Sequence, residues 1–121
     1  MTQARYTGFA KLTQKDVSQA VARHEMLYSG RMGGARASFA FCDLSGLDLS
    51  GRNLGDADFT GAAMKETNLA GSRLDSASLF GTDLRRSNLS GASMRRADLR
   101  KVDLTGAKMP MQFAEAAQIS A

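Results

Sequence analysis

The amino-acid sequence predicts an all-β solenoid, and three regularities lead to this prediction. A large apolar residue stands at every fifth position for fifteen consecutive repeats, a small residue stands two places before most of them, and Gly stands two places after many. A period of five matches neither the helical period of about 3.6 nor the strand period of about 2. It does suit a chain that forms a short extended side and then turns a corner. The large residues are Phe39, Leu44, Leu49, Leu54, Phe59, Met64, Leu69, Leu74, Leu79, Leu84, Leu89, Met94, Leu99, Leu104 and Met109.

Stacking of successive turns is what would make such a repeat stable. One five-residue unit cannot bury its own large side chain, so neighbouring turns must lie against one another and share a core. A second period of twenty residues supports this arrangement, because Phe39 precedes Phe59 by one such period. We therefore expect these two rings to be stacked, and we expect Leu79, Leu84 and Leu89 to be almost fully buried.

The local consensus of the repeat is Ala, then Asp or Asn, then Leu, Ser and Gly. Segments that follow it include Ala57-Asp58-Phe59-Thr60-Gly61 and Ala97-Asp98-Leu99. In this respect residues 37–111 resemble the pentapeptide-repeat family. The resemblance implies a right-handed quadrilateral β-helix with four pentapeptides in each coil, so the fifteen repeats correspond to about four coils.

The chain has the length of a single domain, and its sequence divides into four segments. They are a flexible N-terminal arm at 1–12, a capping helix with its lead-in at 13–36, the repeats at 37–111 and a C-terminal tail at 112–121. The tail is either a short helix over the last coil or a contact between two subunits. Candidate self-association residues are Met111, Phe113 and Ile119. An alternative is a flat, almost uncharged face along Gly51, Gly71 and Gly91, and by either route we expect a homodimer.

An N-terminal capping helix is predicted over residues 14–28. Thr13 and Asp16 have the spacing of a capping box, with Asp in place of the usual Glu, and Gly30 is suited to end the helix. We expect the apolar stripe of this helix to cover the first coil. The stripe consists of Val17, Ala20, Val21, His24 and Leu27.

The first coil departs from the repeat. Leu47 and Arg52 stand at positions where the next two coils have only small residues. Such side chains need different packing, as they would have beneath a helix. We expect Arg52 to bond either to helix carbonyls or to Glu25.

The composition argues against most catalytic and metal-dependent functions. The chain has one His and one Cys, too few for a zinc site built from these residue types. His24 is interpreted as a packed, hydrogen-bonded side chain and Cys42 as a small apolar filler. No catalytic residue, cofactor or metal ligand is therefore predicted. A single thiol, with no apolar run of signal-peptide or membrane-spanning length, favours the cytoplasm.

Candidate partner-binding residues lie on the outside of the predicted coils. Phe80 is expected to point outward, with Arg100 one coil further on and with Phe41 and Lys101 in the neighbouring column. The twenty-residue spacing would place Arg100 over the Phe80 ring in a cation–π contact. A basic collar is expected around the lower coils, because residues 85–101 carry six cations and one carboxylate. The basic collar consists of Arg85, Arg86, Arg95, Arg96, Arg100 and Lys101.

These features predict a non-catalytic interaction or scaffold module that binds an unidentified protein partner and self-associates. The family resemblance supplies an alternative, because some pentapeptide-repeat proteins bind DNA gyrase as mimics of duplex DNA. Mimicry needs a negative surface, whereas residues 35–111 contain 11 basic and 9 acidic residues, so charge disfavours this alternative. A further alternative is direct binding of nucleic acid or another polyanion through the basic collar, which the lack of an aromatic platform disfavours.

Overall fold

The structure is a solenoid whose turns repeat every twenty residues. The computed structural model describes residues 10–30 and 32–111. Parallel bridges in four series join residues that are twenty apart, from Ser38 with Asp58 to Asn88 with Lys108. We call each twenty-residue turn a coil, with the first coil starting at residue 37. The helix and strands are β1 (Ala10–Lys11), α1 (Gln14–Tyr28) and β2 (Cys42–Asp43).

Backbone hydrogen bonds join neighbouring coils. The large residue of a repeat donates its N–H to the carbonyl nineteen places on, as Leu44 does to Ala63 at 2.7 Å. The residue before a large one donates in the opposite direction, as Ala63 does to the carbonyl of Cys42 at 2.9 Å. Consecutive coils thus satisfy one another's backbone groups. Each side pairs through a single residue before the chain turns, so the result is isolated bridges and very short strands.

The core is a stack of the predicted large residues. Those from Phe39 to Leu99 are at most 3 % exposed, while Leu104 and Met109 in the last coil are only partly buried. The rings of Phe39 and Phe59 are stacked with 5.5 Å between centroids and 26° between planes, as the twenty-residue period predicts. Complete burial is confirmed for Leu79, Leu84 and Leu89.

The two ends of α1 form as predicted. The Thr13 hydroxyl accepts a hydrogen bond from the Asp16 N–H at 3.1 Å, and the Asp16 carboxylate accepts one from the Thr13 N–H at 3.3 Å. This reciprocal pair is the capping box. The helix ends at Tyr28, and Gly30 adopts a left-handed φ of 76° just beyond it, which a residue with a Cβ would adopt less readily.

The apolar stripe of α1 differs from the prediction at its end. Val17, Val21 and His24 are buried, but Leu27 is 49 % exposed. Tyr28 lies eleven residues after Val17, which is about three turns of about 3.6 residues each. Tyr28 is itself 45 % exposed, but it lies on the side of the stripe, with its ring 5.3 Å from that of His24 and its hydroxyl bonded to Asp56 of the first coil. The prediction that Leu27 covers the first coil is wrong.

Side chains of α1 pair with the backbone at the upper edge of the first coil. The Gln14 amide accepts a hydrogen bond from the Asp48 N–H at 2.7 Å and donates one to the Asp48 carbonyl at 2.8 Å. The Glu25 carboxylate accepts from the Asn53 N–H at 2.9 Å and is bonded to Arg52 at 2.8 Å, which confirms the expected contact of Arg52. In later coils the equivalent backbone groups pair with the preceding coil, as the Asn68 N–H does with the Leu47 carbonyl. The first coil has no preceding coil, and side chains of α1 provide the partners instead.

On another side of the first coil, β1 has the same role. Ala10 and Lys11 pair in parallel with Cys42 and Asp43, and the Leu12 N–H donates to the Asp43 carbonyl at 3.0 Å. This stretch is not part of a flexible arm as predicted, because the open edge of the first coil offers it backbone partners. The rest of the predicted arm lies outside the described residues.

Candidate partner-binding surface

Two adjacent columns of residues form one corner of the solenoid. One column consists of Phe41, Gly61, Gly81 and Lys101, and the other of Ala40, Thr60, Phe80 and Arg100. We define the aromatic corner as Phe41, Gly61, Phe80, Gly81, Arg100 and Lys101. The aromatic corner thus brings together four of the candidate partner-binding residues.

The lower part of the aromatic corner contains an aromatic ring, a guanidinium group and a carboxylate. Phe80 is 39 % exposed, and the guanidinium carbon of Arg100 lies 5.4 Å from its ring centroid. The same guanidinium donates two hydrogen bonds to Asp98, at 2.9 and 2.8 Å, and these hold the pKa of the Asp98 carboxyl below its usual value. The expected cation–π contact is therefore present, although the charge of Arg100 is already compensated.

Phe41 forms the upper part of the aromatic corner and occupies the corner position at which one repeat after another has a left-handed backbone. Its φ is 60°, in the left-handed region that glycine favours, and its side chain is 62 % exposed. The ring lies over Gly61, where an added Cβ would overlap the ring atoms. The absence of a side chain at Gly61 is therefore what lets the Phe41 ring lie against the solenoid.

Part of the basic collar is neutralised by carboxylates. Arg85 is bonded to Asp83 at 2.8 Å and lies 3.8 Å from Asp103, and Arg86 lies 3.2 Å from Glu66. The hydrogen bonds from Arg85 hold the pKa of the Asp83 carboxyl below its usual value. The carboxylates of all three pairs lie outside residues 85–101, so a charge count over that segment misses them.

The remaining cations of the basic collar are Arg95, Arg96 and Lys101. All three are exposed, and within the described part of the chain none of them forms an ion pair. The charge available to a partner is therefore concentrated on three side chains instead of six.

The burial and hydrogen bonding of His24 and Cys42 fit a role in packing. His24 is fully buried, and its Nδ1 accepts a hydrogen bond from the Ala37 N–H at 3.0 Å. Its Nε2 therefore carries the proton and donates to the Gly55 carbonyl at 2.7 Å. Burial raises the pKa of the Cys42 thiol, which disfavours the reactive thiolate.

Residues 10–30 and 32–111 contain neither a metal-binding cluster of side chains nor a membrane-spanning helix. In these ranges no cluster of His, Cys, Asp and Glu side chains has the arrangement needed to hold a metal ion. In the same ranges no helix is both long enough and apolar enough to cross a membrane.

A cavity beside the end of α1 was not predicted from the sequence. It has a volume of about 560 Å³ and is lined by His24, Leu27, Tyr28, Arg36 and Asp56. The Tyr28 hydroxyl donates to the Asp56 carboxylate, and burial together with this hydrogen bond raises the pKa of Tyr28 to about 12. The spacing of four residues between His24 and Tyr28 is the sequence signal that places them side by side.

The candidate self-association residues are described only in part. Met111 is fully exposed, whereas Phe113 and Ile119 lie outside the described residues. On the alternative flat face, Asn68 and Asn88 each accept a hydrogen bond from the backbone N–H two residues on, both at 3.0 Å. These side chains therefore lie back against their own backbone, which keeps the face flat.

A comparison with protein-family models agrees with this geometry. The model for pentapeptide repeats matches eight copies over residues 42–79 and 77–109, which is more than half of the chain. The chain therefore belongs to the pentapeptide-repeat family, whose fold is a right-handed β-helix solenoid. No curated protein matches it.

Several solved structures are similar to this chain. A pentapeptide repeat protein from the Arabidopsis thaliana thylakoid lumen is 40 % identical, with 55 % of this chain and 53 % of that one covered and a TM-score of 0.48. A pentapeptide repeat protein from Nostoc is 22 % identical, with coverages of 92 % and 98 % and a TM-score of 0.42. QnrB1, a plasmid-mediated fluoroquinolone resistance protein, is 20 % identical, with coverages of 67 % and 49 % and a TM-score of 0.38. The chain thus spans about half the length of the Arabidopsis protein.

Proposed function

We propose that this chain is a non-catalytic interaction module that binds a protein partner through the outer surface of its solenoid. The observation that carries the proposal is the aromatic corner, where Phe41 and Phe80 remain 62 % and 39 % exposed although the repeat buries its large residues elsewhere. Aromatic side chains are enriched at the centres of protein interfaces. Arg95, Arg96 and Lys101, which form no ion pair among the residues that the structure describes, favour a partner with an acidic surface. We place the module in the cytoplasm, in keeping with its single thiol.

The proposal includes an architecture of about four coils with α1 as an N-terminal cap. Its support is the pairing of Gln14 and Glu25 with backbone groups of the first coil. A cap blunts an edge that would otherwise invite pairing with other chains. A rigid, capped solenoid also presents its surface side chains in fixed positions, which reduces the conformational entropy lost on binding.

Affinity capture followed by quantitative mass spectrometry tests the proposal. The wild-type chain is immobilised beside a variant carrying Phe80→Ala, Arg95→Ala and Lys101→Ala, and beside a flat-face control carrying Ser50→Ala and Ser90→Ala. We expect a small set of proteins to be retained by the wild type and the control but lost from the triple variant. Circular dichroism establishes that all three are folded.

Two results of this experiment contradict the proposal. Retention of no protein above an empty support argues against an interaction module altogether. Equal retention by the wild type and the triple variant argues against this surface as its binding site.

We also propose that the chain forms a homodimer, either through Met111, Phe113 and Ile119 or through the flat face. The full exposure of Met111 and the incomplete burial of Leu104 and Met109 in the last coil support the C-terminal route. Size-exclusion chromatography with light scattering is expected to give a dimer mass for the wild type and a monomer mass for Phe113→Asp combined with Ile119→Asp. A wild-type monomer contradicts self-association, and a dimer that survives both substitutions moves the contact to the flat face.

Binding of DNA gyrase by duplex mimicry is the alternative function, and the surface charges do not favour it. Mimicry needs free carboxylates, but Glu66, Asp83 and Asp98 are each paired with an Arg side chain. A gyrase supercoiling assay is therefore expected to be unaffected by this protein. Direct nucleic-acid binding would appear as gel shifts that weaken steeply with salt, and the small number of unpaired cations on the described surface predicts none.

A further inference from the structure

Phe41 is the residue of the aromatic corner that the fold itself does not require. Among the described residues, six other non-glycine residues have a positive φ, and all six are polar or charged. A bulky apolar residue is strained in this conformation, and the 62 % exposure of Phe41 shows that burial does little to offset the strain. The left-handed φ recurs at the same corner position of one repeat after another, so the choice of a bulky apolar side chain there, and not the backbone itself, points to a role outside the fold.

The backbone at Gly81, which we call the shelf, lies below Phe41 on the aromatic corner and carries no side chain. Gly61 carries the Phe41 ring, but a Cβ added at Gly81 would meet nothing nearer than the Cα of Gly61, at 4.0 Å. The surface at Gly81, directly adjacent in sequence to the exposed Phe80, is therefore bare backbone. Apart from its two chain neighbours, nothing lies nearer than 4.0 Å to a Cβ added here, so a side chain of a partner has room at this position.

The end of the aromatic corner below this shelf is cationic. Lys101 occupies the last position of its column and has no ion pair within the part of the chain that the structure describes. Arg100 is bonded to Asp98 at 2.8 Å, so Lys101 supplies the uncompensated charge here. Arg95 and Arg96, on the preceding corner, add to the positive potential. The complementary group on a partner is a carboxylate.

We propose that the aromatic corner binds an extended segment of a partner protein in which an apolar side chain is followed, about two residues later, by a carboxylate. The apolar side chain occupies the shelf at Gly81, and the carboxylate pairs with Lys101. Gly81 and Lys101 lie in neighbouring coils, which are about 4.8 Å apart, whereas the two partner side chains, two residues apart in an extended chain, are about 7 Å apart. The long, flexible Lys101 side chain makes up this difference in spacing. This inference rests on the proposed function and names the chemistry of the partner.

Single-stranded nucleic acid is the competing occupant and fits the aromatic corner less well. Successive bases stack on a run of exposed rings, whereas this corner has two rings, and the guanidinium of Arg100 lies over one of them, Phe80. Successive phosphates need a line of cations, whereas Lys101 is the one cation of this corner without an ion pair among the described residues.

A phage-displayed library of random linear peptides, selected on the full-length chain, tests the proposal. We expect the enriched peptides to share an apolar residue followed closely by Asp or Glu. A fluorescent copy of the most enriched peptide is expected to bind Phe41→Gly and Lys101→Glu at least about tenfold more weakly than the wild type. Phe41→Gly reproduces the residue found at Gly61 and Gly81, so the fold is preserved.

The matched control is Lys108→Glu, which makes the same charge change in the same coil but on a different face. It is expected to bind the peptide as the wild type does. The proposal is overturned if no peptide is enriched over an uncoated support, if Phe41→Gly binds with wild-type affinity, or if an oligothymidine probe binds more tightly than the peptide.

The two proposals can fail separately. If the full chain still captures a protein partner from solution and Phe41→Gly captures it equally well, the interaction module stands and the aromatic corner is excluded as its site. If neither peptides nor proteins are retained, both proposals are wrong.

Discussion

The upper edge of the first coil and the edges between later coils satisfy similar backbone groups in different ways. Between coils, backbone pairs with backbone in one repeat after another, as when the Leu69 N–H donates to the Asn88 carbonyl at 2.8 Å. At the upper edge, the side chains of Gln14 and Glu25 and the short strand β1 provide the partners. The comparison teaches that a repeated sequence specifies the contacts between coils, whereas the end of a solenoid depends on individually placed side chains.

The largest effect is expected inside the repeat. Leu84 is completely buried, so Leu84→Ala removes contacts to the coils on both sides and is expected to lower the free energy of unfolding by about 2–5 kcal/mol. Thermal melting followed by circular dichroism measures this loss. Leu104→Ala in the partly buried last coil is the matched control and should cost less. A melt of Leu84→Ala that coincides with the wild type contradicts the assigned core.

A smaller loss is expected when an ion pair at the upper edge is removed. Glu25→Ala leaves Arg52 and the Asn53 N–H without their partner, and the loss of a charged hydrogen bond costs about 1.5–3 kcal/mol. Glu25→Gln keeps an acceptor for the Asn53 N–H and is expected to cost less. Chemical denaturation measures both. Equal stabilities of Glu25→Ala and the wild type would show that α1 does not need this contact.

Gln14→Ala tests the neutral contact at the same edge. It removes both hydrogen bonds to Asp48 at an exposed site, for which we expect a loss of about 0.5–1.5 kcal/mol. Lys15→Ala, at the next and also exposed position, serves as the control and is expected to leave the unfolding free energy unchanged. If Gln14→Ala and Lys15→Ala have the same free energy of unfolding, the hydrogen bonds between Gln14 and Asp48 do not stabilise the upper edge of the first coil.

Acid is expected to weaken the upper edge through Glu25. Hydrogen bonds from Arg52 lower the pKa of Glu25 in the folded protein, below its unfolded value of about 4.3. A group whose pKa is lowered on folding adds stability above its unfolded pKa, and this stability is lost as the pH falls through the folded pKa. The melting temperature of the wild type should therefore fall more on acidification than that of Glu25→Gln. Parallel curves for the two proteins would contradict this assignment.

The smallest effect on stability is expected at Phe41. Replacing it by Gly relieves a left-handed strain of about 1–2 kcal/mol, while the added backbone freedom of Gly costs about 0.5–1 kcal/mol and the packing over Gly61 is lost. These terms oppose one another, so the melting temperature of Phe41→Gly should be close to that of the wild type. A large destabilisation would make Phe41 a structural residue and not a binding residue.

The contacts that repeat along the chain could be predicted from the sequence alone. The five-residue period identified the buried large residues, and the twenty-residue period placed Phe39 over Phe59 and Arg100 over Phe80. Thr13 and Asp16 placed the start of α1, because a capping box depends on residues close in sequence. In each case the spacing along the chain fixes the spacing in space, so periodicity and local sterics were sufficient.

The contacts between non-equivalent segments were decided only by the tertiary structure. No local rule indicates that Lys11 pairs beside Asp43, that Glu25 accepts a hydrogen bond from the Asn53 N–H, or that the Tyr28 hydroxyl reaches Asp56. Each of these depends on how α1 and β1 dock on the first coil, or on which side chains of neighbouring coils turn toward one another. The period of the sequence therefore determined the interior of the solenoid, while the contacts at its upper edge and the balance of its surface charge required the packed structure.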